Sequence, residues 1–257
     1  MLAALRTLGL TALVATNVLG WPMLHGGNPA PDATFVAGVR DSINGANRCA
    51  GTLIAPRLVL TAAHCLFTQV QIRVYQFLPA QYVSIGAVNA NGTGEQIAVI
   101  QSVVHPNYTY DALNWSTTND VGVLILASPS SYPPIALDFN PLVPAGVSAT
   151  VYGWPDAAGN RSVETATVLS QGACQSVFTQ LSATSLCTEA ESQRNQCSRN
   201  SGGPLTIVAN GSQVLVGVDS FGIDCQSGID VSARLSSAQD FLTPFLTNAT
   251  LNTVLSL

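Results

Sequence analysis

Charge is scarce in this sequence: nine Lys and Arg face fourteen Asp and Glu, for a net charge of -5. So few cations offer no basic surface to neutralise phosphates, which argues against nucleic acid as a partner and against electrostatic anchoring to a membrane. Long hydrophobic runs are missing beyond the N-terminal region, where nothing approaches the roughly 20 apolar residues that span a bilayer. No Cys-x-x-Cys pair occurs and the three histidines are scattered. A zinc cluster therefore finds no ligand set. Internal repeats and Pro-rich or Ser-rich linkers are also absent, so nothing divides the chain into independent modules.

What is present is apolar and β-rich. Hydrophobic residues make up 47% of the 257 positions, far from the composition of a disordered chain and enough for one large domain with a full core. The N-terminus reads as an export signal. Arg6 supplies a positive charge, Leu8 to Leu19 an apolar stretch, and Val18 with Gly20 a small-residue cleavage site. Thr and Asn interrupt that stretch, which argues against a membrane-spanning helix. The mature chain is expected to begin near Trp21, giving a signal peptide over 1–20 and one domain over 21–257. Export predicts a secreted, extracellular protein with no membrane association after the signal is removed.

Six cysteines in an exported chain predict three disulfides, and spacing alone leaves their connectivity open. Asn-x-Ser/Thr sequons at Asn91, Asn107, Asn114, Asn160, Asn210 and Asn248 mark expected surface glycosylation sites. Short β-rich runs occur at Thr52 to Thr61, Gln71 to Tyr75, Ile97 to Val104, Val121 to Leu126, Ser148 to Val151, Leu205 to Val208 and Val214 to Val218. Turn residues separate nearly all of them, the pattern of an antiparallel sandwich or barrel. Ala238, Phe241, Leu242 and Phe245 recur at helical spacing, so a terminal helix is predicted within Ser236 to Leu246.

The candidate chemistry begins at Cys49 to Cys65, CAGTLIAPRLVLTAAHC, where a histidine ends a β-branched run directly before a cysteine. A general base must be held rigidly within reach of its nucleophile. A lone histidine is usually a core or surface residue, and here the surrounding motif gives it weight. Leu60-Thr61-Ala62-Ala63-His64-Cys65 resembles the histidine motif of the chymotrypsin and trypsin-like serine proteases, and the similarity runs from Leu24 to the terminal helix. Asn119 to Leu124 resembles the family's aspartate segment, and Val151-Tyr152-Gly153-Trp154 its Gly-Trp strand end. Cys197 to Pro204, CSRNSGGP, resembles the nucleophile loop with Ser201 as the attacking serine. Asp219-Ser220-Phe221-Gly222 is similar to the strand that holds substrate backbone, and Val231 to Ser236 to the last strand.

The resemblance implies an all-β fold of two antiparallel six-stranded Greek-key barrels with a C-terminal helix. It implies a triad in which Ser201 attacks a peptide carbonyl, His64 carries the proton and Asp120 orients His64. The implied oxyanion donors are the backbone N–H groups of Arg199 and Ser201. The implied disulfides are Cys49 with Cys65, Cys174 with Cys187, and Cys197 with Cys225. No metal or organic cofactor is implied, and the partner is a protein or peptide substrate bound by a monomer. Asn195 falls at the base of the primary pocket, with Ser220, Phe221 and Gly222 beside it. Aligning the last strand on Arg234 puts Asp230 at the pocket wall. The alternatives leave Asp230 in a surface turn, or Gly228 in the wall position. His105 falls in an ordinary surface loop.

Two positions of the nucleophile loop depart from the family's Gly-Asp-Ser-Gly-Gly-Pro. Arg199 stands where the oxyanion hole uses glycine, and Asn200 replaces the aspartate that receives a new α-amino group on activation. An amide supplies no negative charge to compensate a buried ammonium. Pro22 and Met23, rather than a basic residue, precede Leu24-His25-Gly26-Gly27, which resembles the family's mature start. The main expectation is a secreted serine endopeptidase. The alternative is a catalytically impaired homologue that binds another protein as an inhibitor or decoy, since Gly94 to Tyr108 is broadly similar to the oomycete glucanase-inhibitor proteins.

Overall fold

The computed structural model describes residues 28–29, 33–71, 73–87, 94–111, 116–154, 161–191, 201–222 and 228–248. Twelve strands build two barrels. The first uses β1 (Val36–Arg40), β2 (Cys49–Ala55), β3 (Leu58–Thr61), β4 (Tyr82–Ile85), β5 (Glu95–Val104) and β6 (Gly122–Leu126). The second uses β7 (Ser148–Gly153), β8 (Ser162–Val168), β9 (Ser185–Ala190), β10 (Pro204–Ala209), β11 (Ser212–Gly222) and β12 (Ile229–Arg234). In the first barrel the order β1-β2-β3-β6-β5-β4 closes back on β1, every neighbour antiparallel. The second closes in the corresponding order, β7-β8-β9-β12-β11-β10. This common topology leaves no trace as a sequence repeat, because a barrel asks only that side chains alternate inward and outward. In β7 that alternation is plain: Ser148 is exposed, Ala149 buried, Thr150 half-buried and Val151 buried.

β3 and β6 are instead buried at every position, since both their faces are covered. The main core gathers Leu53, Leu58, Leu60, Val123 and Leu124 of the first barrel and continues through Leu215, Val218 and Ala233 of the second. It ends on Leu235, Ala238 and Leu242, which lead into the terminal helix α2 (Gln239–Thr247). The predicted helix is therefore present, and Phe241 and Phe245 pack partly buried against the same core. A shorter helix, α1 (Gln171–Val177), starts at Ser170, whose hydroxyl accepts from the Ala173 N–H at 3.2 Å. Sequence periodicity did not mark it.

Three expectations need correction. The single run Thr52 to Thr61 is two strands, because Pro56 and Arg57 turn the chain between β2 and β3. Gln71 to Tyr75 is not one strand but the tip of a hairpin, Phe67–Gln71 paired with Val74–Phe77. His105 is buried at 8% exposure rather than lying on the surface. Its ring packs 4.8 Å from that of Phe241, and its Nδ1 accepts from the Asn107 N–H at 3.1 Å. Two of the implied disulfides form, Cys49–Cys65 and Cys174–Cys187. Cys197 and Cys225 lie outside the described residues, as do the export segment and the sequons Asn91, Asn114 and Asn160. Asn107, Asn210 and Asn248 are exposed. Among the described residues no helix is long and apolar enough to cross a membrane.

Candidate active site

The site lies where the barrels meet. β3 ends at Thr61 and the chain tightens into a 3-10 turn, Ala63–Leu66, which carries His64. The Cys49–Cys65 bridge ties that turn back to β2. Asp120 arrives just before β6. Asn119, at φ 49°, adopts a left-handed conformation that Asn tolerates better than most residues. That bend turns the Asp120 side chain inward, where it is 1% exposed.

Asp120 grips His64 at two points. Its Oδ1 accepts from the His64 backbone N–H at 2.8 Å, and its Oδ2 lies 2.7 Å from Nδ1. Oδ2 also accepts from the Ser220 hydroxyl at 2.5 Å, and Ser220 Oγ is 3.1 Å from Thr117 Oγ1. With Nδ1–H donating to the carboxylate, Nε2 is left as the basic nitrogen. Burial lowers the His64 pKa, but the Asp120 charge and hydrogen bond outweigh it and the net shift is upward. Burial raises Asp120, and the His64 charge, with hydrogen bonds from His64 and Ser220, brings it below the usual carboxylate value.

Ser201 enters from the second barrel at the head of β10. Its carbonyl accepts from Ala50 N–H of β2 at 2.8 Å, which pins the serine segment to the first barrel. Gly202 follows at φ 83°, and a Cβ there would strike the Thr61 hydroxyl and the Ala50 carbonyl. Only glycine satisfies both the conformation and the contact. Cys65 Sγ lies between the two barrels' contributions, 3.7 Å from His64 Nε2 and 3.6 Å from the Ser201 carbonyl oxygen. Among the described residues no hydrogen bond joins Nε2 to the Ser201 hydroxyl. The disulfide also occupies both thiols beside His64, so Cys49, His64 and Cys65, though close together, offer no thiolate to a metal ion. Arg199, Asn200 and Asn195 lie outside the described residues.

Two hairpins outside the barrels enlarge the cleft beside His64 to a cavity of about 520 Å³. Phe67 and Tyr75 come from the 67–77 hairpin, and Tyr110 and Thr117 from a second hairpin, Thr109–Asp111 with Ser116–Thr118. Tyr108, Ser220, Phe221 and Gly222 complete the lining with His64. Phe67 stacks on Tyr108 at 5.7 Å, and Tyr75 meets Tyr110 edge-on at 5.2 Å. The sequence reading missed these aromatics, although Tyr75 with Phe77 and Tyr108 with Tyr110 each repeat at the two-residue spacing of one strand face. It also placed Ser220 only beside substrate, whereas its hydroxyl is an Asp120 ligand. Phe221 and Gly222 line the cleft.

Asp230 does not lie in a surface turn. It sits within β12, paired with Gly222 on one side and Thr188 on the other.

The profile of the trypsin family matches residues 24–242. The chain belongs to the trypsin family. Its relatives include glucanase inhibitor protein 1 of Phytophthora infestans, 31% identical across 93% of this chain and 94% of that one. Glucanase inhibitor protein 1 of Phytophthora sojae is 28% identical across 93% and 95%. Serine protease 1 of Rattus norvegicus is 29% identical across 71% and 72%. Trypsin-family architecture is thus common to relatives named for inhibition and relatives named for proteolysis.

Proposed function

We propose that this trypsin-family chain is a secreted, catalytically impaired homologue that acts by binding another protein, and that its target is a glucanase. The observation that carries this reading is the end-to-end similarity to glucanase inhibitor proteins, over more than nine-tenths of both chains, against about seven-tenths for the rat protease. The nucleophile loop supports it. A glycine-to-arginine change at Arg199 asks a residue with a Cβ to aim an oxyanion donor, and a missing donor typically slows acyl transfer about 100- to 1000-fold. Asn200 cannot pair with a buried ammonium. The aromatic cleft supports it as well, because tyrosine and phenylalanine around a concave surface are the residues that anchor protein interfaces.

A serine endopeptidase is the second reading, favoured by the bidentate grip of Asp120 on His64. In it Ser201 is the nucleophile, His64 the general base and Asp120 the orienting acid. Two assays on the purified mature chain separate the readings. In the first, a panel of secreted glucanases is titrated with the wild type and with Ser201→Ala. Both should inhibit reducing-sugar release equally. In the second, a fluorophosphonate probe should leave Ser201 unlabelled, and labelling that disappears in Ser201→Ala would establish the endopeptidase instead.

A further inference from the structure

The 67–77 hairpin is left with open edges. Its two strands pair with each other and with no further strand among the described residues. Every residue in them except half-buried Phe67 is exposed. A two-stranded ribbon is marginal in water, and three or more strands are the usual stable unit. An open edge also presents a row of unpaired N–H and C=O groups, which is a template for another strand.

Proteins commonly guard such edges with lysine, proline or a bulge. The segment Phe67 to Phe77, FTQVQIRVYQF, contains no lysine, proline or glycine. Its one charge, Arg73, sits in the tip between the strands. A register shift between Gln69 and Gln71 interrupts the first strand, whereas Val74–Phe77 runs unbroken and is rich in the residue types that favour strands. The unguarded edge is therefore Val74–Phe77. Phe67 lies opposite Phe77 and Gln69 opposite Tyr75, so Tyr75 and Phe77 share the face turned to the cleft. Gln76, opposite Thr68, points to the other face.

We propose that Val74–Phe77 pairs antiparallel with the same strand of a second copy of this chain, about a two-fold axis through Gln76. The choice of a second copy rests on self-complementarity. Directly opposed residues of an antiparallel pair share a face, so a strand can meet its own copy only where the two-fold passes through a residue. An axis at Gln76 sets Tyr75 against Phe77 of the second copy, twice over, and Gln76 against its own equivalent. Aromatic side chains opposed across a ladder attract, and two amides can exchange hydrogen bonds. An axis at Tyr75 would keep only one aromatic pair and would set Val74 against Gln76. No charged residue lies in the paired strand to repel its copy. The result is one four-stranded sheet with both Tyr75 rows on the same side, so Phe77 of the second copy extends the rim of the first cleft. The sequence reading implied a monomer, and it had no means of finding an edge that barrel closure leaves outside both barrels.

The test is sedimentation equilibrium of the purified mature chain alone. Its average mass should rise from one chain toward two between about 1 and 100 µM, as suits a small interface. Gln76→Lys and Gln76→Glu each place like charges opposite one another across the axis. Each variant should keep the near-UV circular dichroism of the wild type and stay monomeric to at least tenfold higher concentration. Mixing the two variants should restore association, because lysine then faces glutamate. A wild type that stays monomeric throughout, or variants that associate as readily as the wild type, would overturn the proposal. Loss of association in both variants without recovery on mixing would overturn the axis at Gln76. No glucanase is present in this experiment, so its failure would leave the glucanase reading untouched.

Discussion

Asp120 is held by three donors, the His64 N–H, the His64 ring and the Ser220 hydroxyl, and it is almost wholly buried. This one carboxylate decides how His64 titrates. Against it stands burial, which by itself would push the imidazole below its ordinary value of 6.5. Because the folded His64 pKa is raised, its contribution to stability is fully present below 6.5 and is lost as pH rises through the folded value. The Asp120 pKa is depressed, so its contribution is present above 3.8 and is lost as pH falls through its folded value. The pair is strongest between those limits. Asp120→Asn should therefore move the His64 titration from above 6.5 to below it, followed by NMR of the imidazole C–H. A His64 that still titrates above 6.5 in the variant would show that some other group sustains the shift.

At the scale of elements, the two hairpins beside the barrels give the cleft its character. Val70, Val74, Tyr75 and Phe77 of the 67–77 hairpin are each between 42% and 49% exposed. Such side chains contribute little to folding, and truncating them usually changes stability by less than about 0.5 kcal/mol. At an interface the same truncation commonly weakens binding by about 2 kcal/mol or more. Tyr75→Ala combined with Tyr110→Ala should leave the thermal midpoint nearly unchanged and weaken glucanase inhibition at least tenfold. Undiminished inhibition would move the docking surface away from this cleft. The β11–β12 bulge has a comparable reach, since one extra residue both aims Ser220 at Asp120 and gathers Asp219 with Asp230.

At the scale of the whole molecule, the site exists only while the barrels stay docked, for His64 and Asp120 come from one and Ser201 and Ser220 from the other. The Cys49–Cys65 bridge spans 16 residues and secures the His64 turn within the first barrel. A closed loop of that size stabilises by about 3 kcal/mol, chiefly by restricting the unfolded chain. Replacing both cysteines by serine should lower the free energy of urea unfolding by about that amount. An unchanged unfolding midpoint would mean that core packing alone holds the turn.

Much of this was legible before any coordinates. Short β-rich runs separated by turn residues gave the all-β class, helical spacing at Ala238, Phe241, Leu242 and Phe245 gave the terminal helix, and contiguous motifs around His64, Asp120 and Ser201 named the candidate site. Each of these signals lies within a few consecutive residues, where local backbone preference and side-chain period can express it. The remainder depended on barrel closure. Tyr75 meets Tyr110, Ser220 meets Asp120 and Asp219 faces Ser232 only through strand pairing across long stretches of chain. A one-residue register shift, invisible to periodicity, put Asp219 and Asp230 on one face. Burial of His105 likewise follows from the terminal helix returning over the first barrel.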